Sequence, residues 1–243
     1  MPWHCKSTGG YNINGTEAHD NALEIWNICN SLGWERASVA AMLGNIGAES
    51  TYNPWRWQSD IVLPKGDPRI GTIGGGNTAH AYGLCQQDPA AKYIYRPYAQ
   101  MQNGFGVNYS DEQGSVNDGY AQIMYLHWIC SQNAAGGEWL PDAPAALGLG
   151  MPFEDFISNS RHYTYAQLTR TFFGCYERGT WGDGSRVTWA DYWFNFLGNN
   201  PPVDPDIPPS TDSQAAWFGV IKALKKQKDQ NVFYRKRHKG WWY

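Results

Sequence analysis

Residues 44–50, GNIGAES, close the segment whose reading decides the fold. Before them stands SVAAML, residues 38–43. Val39, Met42, Leu43 and Ile46 recur at the i, i+3, i+4, i+7 spacing of one helical face, which predicts a helix over 36–50. Carried forward, that face reaches Glu49 and Ser50. A carboxylate at the end of a buried stripe is either a paired charge or a working group. Gly44 and Gly47 lie inside this helix, where each glycine costs roughly 1 kcal/mol of helix propensity. Their expected compensation is the close approach of another backbone to that face.

On the N-terminal side, residues 1–15 are rich in Gly and Asn and read as an irregular extension. Thr16 is a fair N-cap with Glu17 in the first turn. Ala18, Ala22, Ile25, Trp26 and Cys29 make a helical stripe that Gly33 ends. On the other side, residues 51–80 are rich in Trp, Pro and Gly and predict short strands or a hairpin forming a cleft wall. The run GTIGGGNTAH is not a phosphate loop, because it lacks the Gly-Lys-Ser/Thr ending. A short helix follows Pro89. Val116, Tyr120, Ile123, Met124 and Trp128 predict another over 115–131, residues 132–150 read as loop, and helical patterns return near 164–173 and 188–197. The expected fold is α+β and mostly helical, with a small β or loop lobe.

Composition narrows the function. The chain has 243 residues, 42% hydrophobic and 15% aromatic, enough for a packed core with aromatics to spare for a binding surface. Of 19 basic and 22 acidic residues, 8 and 1 lie in 214–243, giving +7 there and −10 over residues 1–213. An acidic body opposes nucleic acid. No run of about 18 apolar residues predicts a membrane span, and the N-terminus shows no basic-then-apolar signal segment. Cys5, Cys29, Cys85, Cys130 and Cys175 are odd in number, widely spaced and without a CxxC pair, which predicts reduced, buried thiols. No HExxH, no paired His/Asp spacing and no Gly-x-Ser-x-Gly elbow is present, so neither metal, cofactor nor serine nucleophile is expected.

The chemistry-bearing residues fall in three blocks. AAMLGNIGAESTYNP, residues 40–54, resembles the signature around the catalytic acid of lysozyme-like murein hydrolases and lytic transglycosylases. AYGLCQQDPAAKY, residues 81–93, resembles their Gly-Leu-x-Gln block, and FFGCYERG, residues 172–179, followed by WADYWFNF, resembles a late Tyr-Glu-Arg element. Taken in this order over residues 16–198, the blocks are most similar to the phage tail lysozyme family. The resemblance implies a lysozyme-like fold and Glu49 as proton donor to the glycosidic oxygen. Such an acid must be protonated at neutral pH. Apolar neighbours such as Val39, Met42 and Ile46, and the negative end of the helix dipole, would favour that form. The competing reading is a structural Glu49 paired to an arginine such as Arg36 or Arg56.

For the second carboxylate two positions compete. Asp60, eleven residues after Glu49, opens the candidate facing lobe. Asp88 stands in the Gln-Gln-Asp-Pro turn, where it equally suits helix capping or substrate contact. Asp60 is taken as the second acid. Within the superfamily the glutamate alone can suffice, the sugar's acetamido group assisting and a 1,6-anhydro product resulting. Ser50, Tyr52, Gln86, Asp88 and Trp57 are the expected substrate-binding residues, with Trp55 a further flanking aromatic. Glu177 reads as part of a buried ion pair that supports the fold.

Residues 199–213, NNPPVDPDIPPSTDS, read as an extended linker. Beyond it, Trp217, Val220, Ile221 and Leu224 mark one face of a short basic amphipathic helix. The domain expectation is therefore an extension over 1–15, a catalytic domain over 16–198, a linker, and a basic segment over 214–243. The resemblance implies bacterial peptidoglycan as substrate, cut at the β-1,4 bond between N-acetylmuramic acid and N-acetylglucosamine. It implies a phage tail setting, with the basic segment docking onto other tail proteins; anionic membrane or wall polymer is a second partner for that segment. A lysis endolysin and a silent glycan-binding tail protein are the alternatives.

Overall fold

The computed structural model describes residues 3–64, 66–71, 80–94, 118–131, 137–142, 150–178, 181–182 and 184–202. The Gly-rich run 72–79, Val116, residues 203–213 of the linker and the basic segment 214–243 lie outside the described residues. The described elements are helices: α1 Thr16–Ser31, α2 Arg36–Ser50, α3 Ala91–Ile94, α4 Asp118–Ser131, α5 Phe153–Ser158, α6 Tyr165–Phe172 and α7 Ser185–Asn199. A turn of π-helix, Phe173–Glu177, continues α6. None of the described helices is long and apolar enough to cross a membrane.

Helix α2 is the centre of the molecule. Every residue from Ser38 to Gly47 is buried. The apolar stripe expected from the sequence is thus a helix covered on all sides, packed by α6, α7 and α1. Its small residues permit this. A Cβ on Gly44 would lie 2.3 Å from the Arg186 carbonyl oxygen and 3.0 Å from Ala190 Cβ, so the backbone of α7 sits directly on α2. This is the close approach that two glycines in a helix predict.

Local signals set the ends. Gly33, at φ +87°, closes α1, with Trp34 N–H donating to Cys29 O and Gly33 N–H to Asn30 O, a Schellman arrangement. Thr16 is the first helical residue, and Gly15 occupies the cap position expected for it. Thr164 and Gln167 form a reciprocal capping box at the start of α6. Helix α5 was not expected. Its six residues after Pro152 are too few for periodicity to register.

The lobe after α2 is loop. Among the described residues it holds 3-10 turns at Gln58–Asp60 and Pro68–Ile70 and two isolated antiparallel bridges, Trp57 with Tyr82 and Tyr82 with Gln87. Buried Asp118 ties the lobe to α4. It accepts from Tyr82 Oη, from Tyr93 Oη at 2.7 Å and from Gln122 Nε2 at 2.9 Å, and Gln122 Nε2 also donates to the Pro54 carbonyl at 2.7 Å. The extension is anchored as well. Trp3 is buried edge-on against Tyr120, and Asn53 Nδ2 donates to the Lys6 and Gly9 carbonyls.

Candidate active site

The last turn of α2 carries Asn45 and Glu49 one turn apart on one face, and both are engaged by Arg186 from the first turn of α7. Arg186 Nη2 lies 2.6 Å from Glu49 Oε1, and Nη1 donates to Asn45 Oδ1 at 3.1 Å. The guanidinium also sits 4.8 Å over the Phe173 ring. Asn45 is held in turn, its Nδ2 donating to the Ala41 and Thr169 carbonyls. The arginine partner of Glu49 is therefore neither Arg36, which stacks on Phe194, nor Arg56, which pairs with Asp60.

Glu49 opens onto a cavity of about 400 Å³ lined by Glu49, Gln58, Ala81, Gln86, Asp88, Phe173, Glu177 and Arg186. Gln86, Asp88 and Glu177 also line an adjoining crevice of about 70 Å³ that ends on Lys92, Glu138 and Arg178. Lys92 and Arg178 both pair with Glu138 there. The site residues expected on Glu49, Gln86 and Asp88 thus come together around one space. Gln86 is held by its own amide, whose Nε2 donates to the Arg56 and Gly83 carbonyls at 3.0 Å each.

Other expected residues are elsewhere. Asp60 does not line this cavity. Its carboxylate accepts from Gly9 N–H at 2.7 Å and pairs with Arg56 at 3.1 Å, fastening the extension to the loop lobe. Ser50 is buried, its Oγ donating to the Ile46 carbonyl. Tyr52 is 1% exposed, its hydroxyl accepting from Trp193 Nε1 at 2.8 Å. Trp57 is 2% exposed and packs on Tyr82. These three side chains belong to the core and present no surface to a sugar.

Glu177 takes the place that the sequence did not give it. It ends the π-turn, whose Arg178 N–H donates to Phe173 O at 2.7 Å, and so reaches the cavity wall. Its Oε1 is buried without a hydrogen-bond partner, and no cation lies within ion-pair distance of it among the described residues. Burial pushes its carboxyl well above the usual carboxylate range; the Glu49 charge adds to the rise, while Arg186 and Arg178 oppose it. The ion pair expected of Glu177 is absent among the described residues. Arg186 was also unforeseen, although Asn45 and Glu49, polar at i and i+4 on a buried helix, were a signal that some cation would reach both.

The backbone around the cavity is strained. Among the described residues, those other than glycine with positive φ are Thr51, Tyr52, Ser59, Asp60, Gln86 and Arg178, and each is a cavity-lining residue or lies within three positions of one. Such conformations cost of order 1–3 kcal/mol each and gather at functional sites. A larger cavity of about 690 Å³ lies at the far end of α2, about 20 Å away at about 1.5 Å per residue. Its acid, Glu35, accepts from Ser160 Oγ and Arg161 N–H through Oε2 and pairs with the Arg161 guanidinium at 3.8 Å through Oε1. No group of acidic, Cys and His residues among those described is arranged to hold a metal ion.

Residues 20–197 match the phage tail lysozyme family, and the chain belongs to that family. Its mostly helical, lysozyme-like fold accords with this. A relative, "Morphogenesis protein 1" of Bacillus phage B103, is 28% identical over 179 residues. That match covers 73% of this chain and 39% of the relative, so the chain spans well under half of that protein.

Proposed function

We propose, from membership of the phage tail lysozyme family, that the chain is a peptidoglycan glycosidase. It cleaves the β-1,4 bond between N-acetylmuramic acid and N-acetylglucosamine, with Glu49 as an essential catalytic carboxyl. The observation that carries this is the position of Glu49. The glutamate of the Glu-Ser signature lines the cavity, next to the Gln86 and Asp88 of the second block. Scission of a glycosidic bond needs a carboxyl group at the leaving oxygen and a second group at the sugar's anomeric carbon. A cavity walled by Glu49, Asp88 and Glu177 offers carboxyl groups for both.

The biological setting that fits is penetration of the cell wall by a phage tail. The basic segment over 214–243 docks on neighbouring tail proteins, a role supported by its +7 charge against the −10 of the remainder. Detection of the chain in purified virions supports this setting, and its absence from them points to an endolysin.

Digestion of purified peptidoglycan by the wild type and by Glu49→Gln tests the activity. Gln keeps the shape and removes the carboxyl. Release of muropeptides by the wild type alone supports the assignment, and equal digestion by both sinks it. Mass spectrometry of the ends separates hydrolysis, which leaves a reducing end, from transglycosylation, which leaves a 1,6-anhydro end.

A further inference from the structure

We propose that the cavity at the N-terminal end of α2 is the docking site for this chain's own proline-rich, acidic segment over 203–209. The inference goes beyond the glycosidase reading and does not rest on it.

The cavity, about 690 Å³, is walled by the half-buried rings of Tyr163, Tyr165 and Phe194 and by Arg36 and Arg161. Its cations have charge to spare. The Arg36 guanidinium lies over the Phe194 ring at 4.0 Å and pairs with no carboxylate among the described residues. The Arg161 side chain is 71% exposed, and its carboxylate contact among the described residues is Glu35 at 3.8 Å. The oxygens of Glu35 are turned to Ser160 Oγ, Arg161 N–H and that guanidinium. Two arginines against one glutamate leave a positive patch on a body that is acidic elsewhere.

The occupant follows from the path of the chain. Helices α2 and α7 run antiparallel: Arg186 at the start of α7 meets Glu49, and at its end Arg36 Nη1 fills the space that a Cβ on Gly198 would take. The chain therefore leaves α7 beside a residue that lines this cavity. From Asn199 back to Phe194, on the cavity wall, is about 7.5 Å at about 1.5 Å per residue. The segment VDPDIPP, residues 203–209, holds Asp204 and Asp206 and no basic residue. Its prolines fix φ and favour polyproline II, in which seven residues span about 22 Å. That length suffices to turn back and cross the cavity. Polyproline II segments dock in aromatic-lined grooves because they are ordered beforehand and lose little entropy there. Asp204 and Asp206 supply the carboxylates that complement Arg36 and Arg161. The cavity of Glu49 stands at the other end of α2, so docking leaves it open and directs residues 214–243 away from it.

Ion pairs this exposed add little stability, so the test reads position. Amide resonances of the labelled full chain are compared between the wild type and a chain whose residues 203–209 are replaced by an equal length of Gly and Ser. The resonances of Ala37, Tyr163, Tyr165 and Ala166 are expected to move, those of Gln86 and Arg186 to hold their places, and peptidoglycan digestion to stay unchanged. Arg161→Glu, at an exposed position that the fold tolerates, displaces the resonances of Asp204, Asp206 and Ile207 in turn. Free peptide of sequence 199–213 restores the wild-type positions in the Gly/Ser chain when added at the roughly millimolar effective concentration of a short tether. Cavity resonances that stay in place on replacement of 203–209 overturn the inference. A response that grows with protein concentration also overturns it and assigns the cavity to the segment of a second copy. Movement of the same resonances in the wild type on addition of muropeptides overturns it in favour of a glycan site.

Discussion

At the scale of single residues, the site is governed by where the cations stand. Arg186 serves Glu49, Asn45 and the face of Phe173 at once, and it also opposes the upward displacement of Glu177. Arg186→Gln leaves Glu49 without its partner. The expected loss of stability lies below the ~3–5 kcal/mol of a fully buried pair, because Glu49 keeps 22% exposure and solvent screens it. Chemical denaturation at pH 7 measures it. A carboxyl raised in the folded state contributes stability that is complete below its unfolded value and is lost as pH rises through the folded one. Glu177→Gln therefore gains on the wild type in stability as pH rises above the ordinary carboxylate range.

At the scale of elements, the decisive contact is α2 against α7, and glycine makes it. Gly44→Ala puts a methyl group 2.3 Å from the Arg186 carbonyl oxygen, a backbone atom that cannot rotate away. Overpacking of this kind costs about 1–3 kcal/mol. Relief by separating the helices carries Arg186 off Glu49. A lowered unfolding temperature together with weaker peptidoglycan digestion is the expected outcome, and a variant as stable and as active as the wild type refutes the contact. This was legible in the sequence, because two glycines inside a helix with apolar spacing need a compensating neighbour. The long helices α1, α2, α4, α6 and α7 were legible by periodicity and caps. The loop lobe was legible only as an interruption, since its order comes from buried side chains such as Asp118 and Gln122 instead of strand pairing.

At the scale of the whole molecule, the sequence showed one half of the site and hid the other. Glu49, Gln86 and Asp88 lie in recognisable blocks, and each faces the cavity. Arg186 meets Glu49 across 137 positions of chain, and Glu177 reaches the wall only through a π-turn that no periodicity announces. Tyr52 and Trp57, chosen for their aromatic rings, went to the core, where most large aromatics gain their burial energy. The cysteines, expected as buried thiols, are buried at four positions of five and give a last prediction. All five are free; Cys29, Cys85, Cys130 and Cys175 are buried and Cys5 is half-buried. Burial pushes the thiol of Cys175 up to about 11; burial, aided by the Asp118 charge, pushes that of Cys5 to about 12, against an ordinary value of 9.0. The folded protein therefore holds protons that the unfolded chain releases, so stability falls as pH rises from about 9 through these values. A thiol reagent at pH 7 is expected to leave Cys29, Cys85, Cys130 and Cys175 unmodified in the native protein and to label all five cysteines in denaturant. Rapid native labelling of Cys85, which lies beside Gln86 on the crevice, would mean that the wall between crevice and core opens.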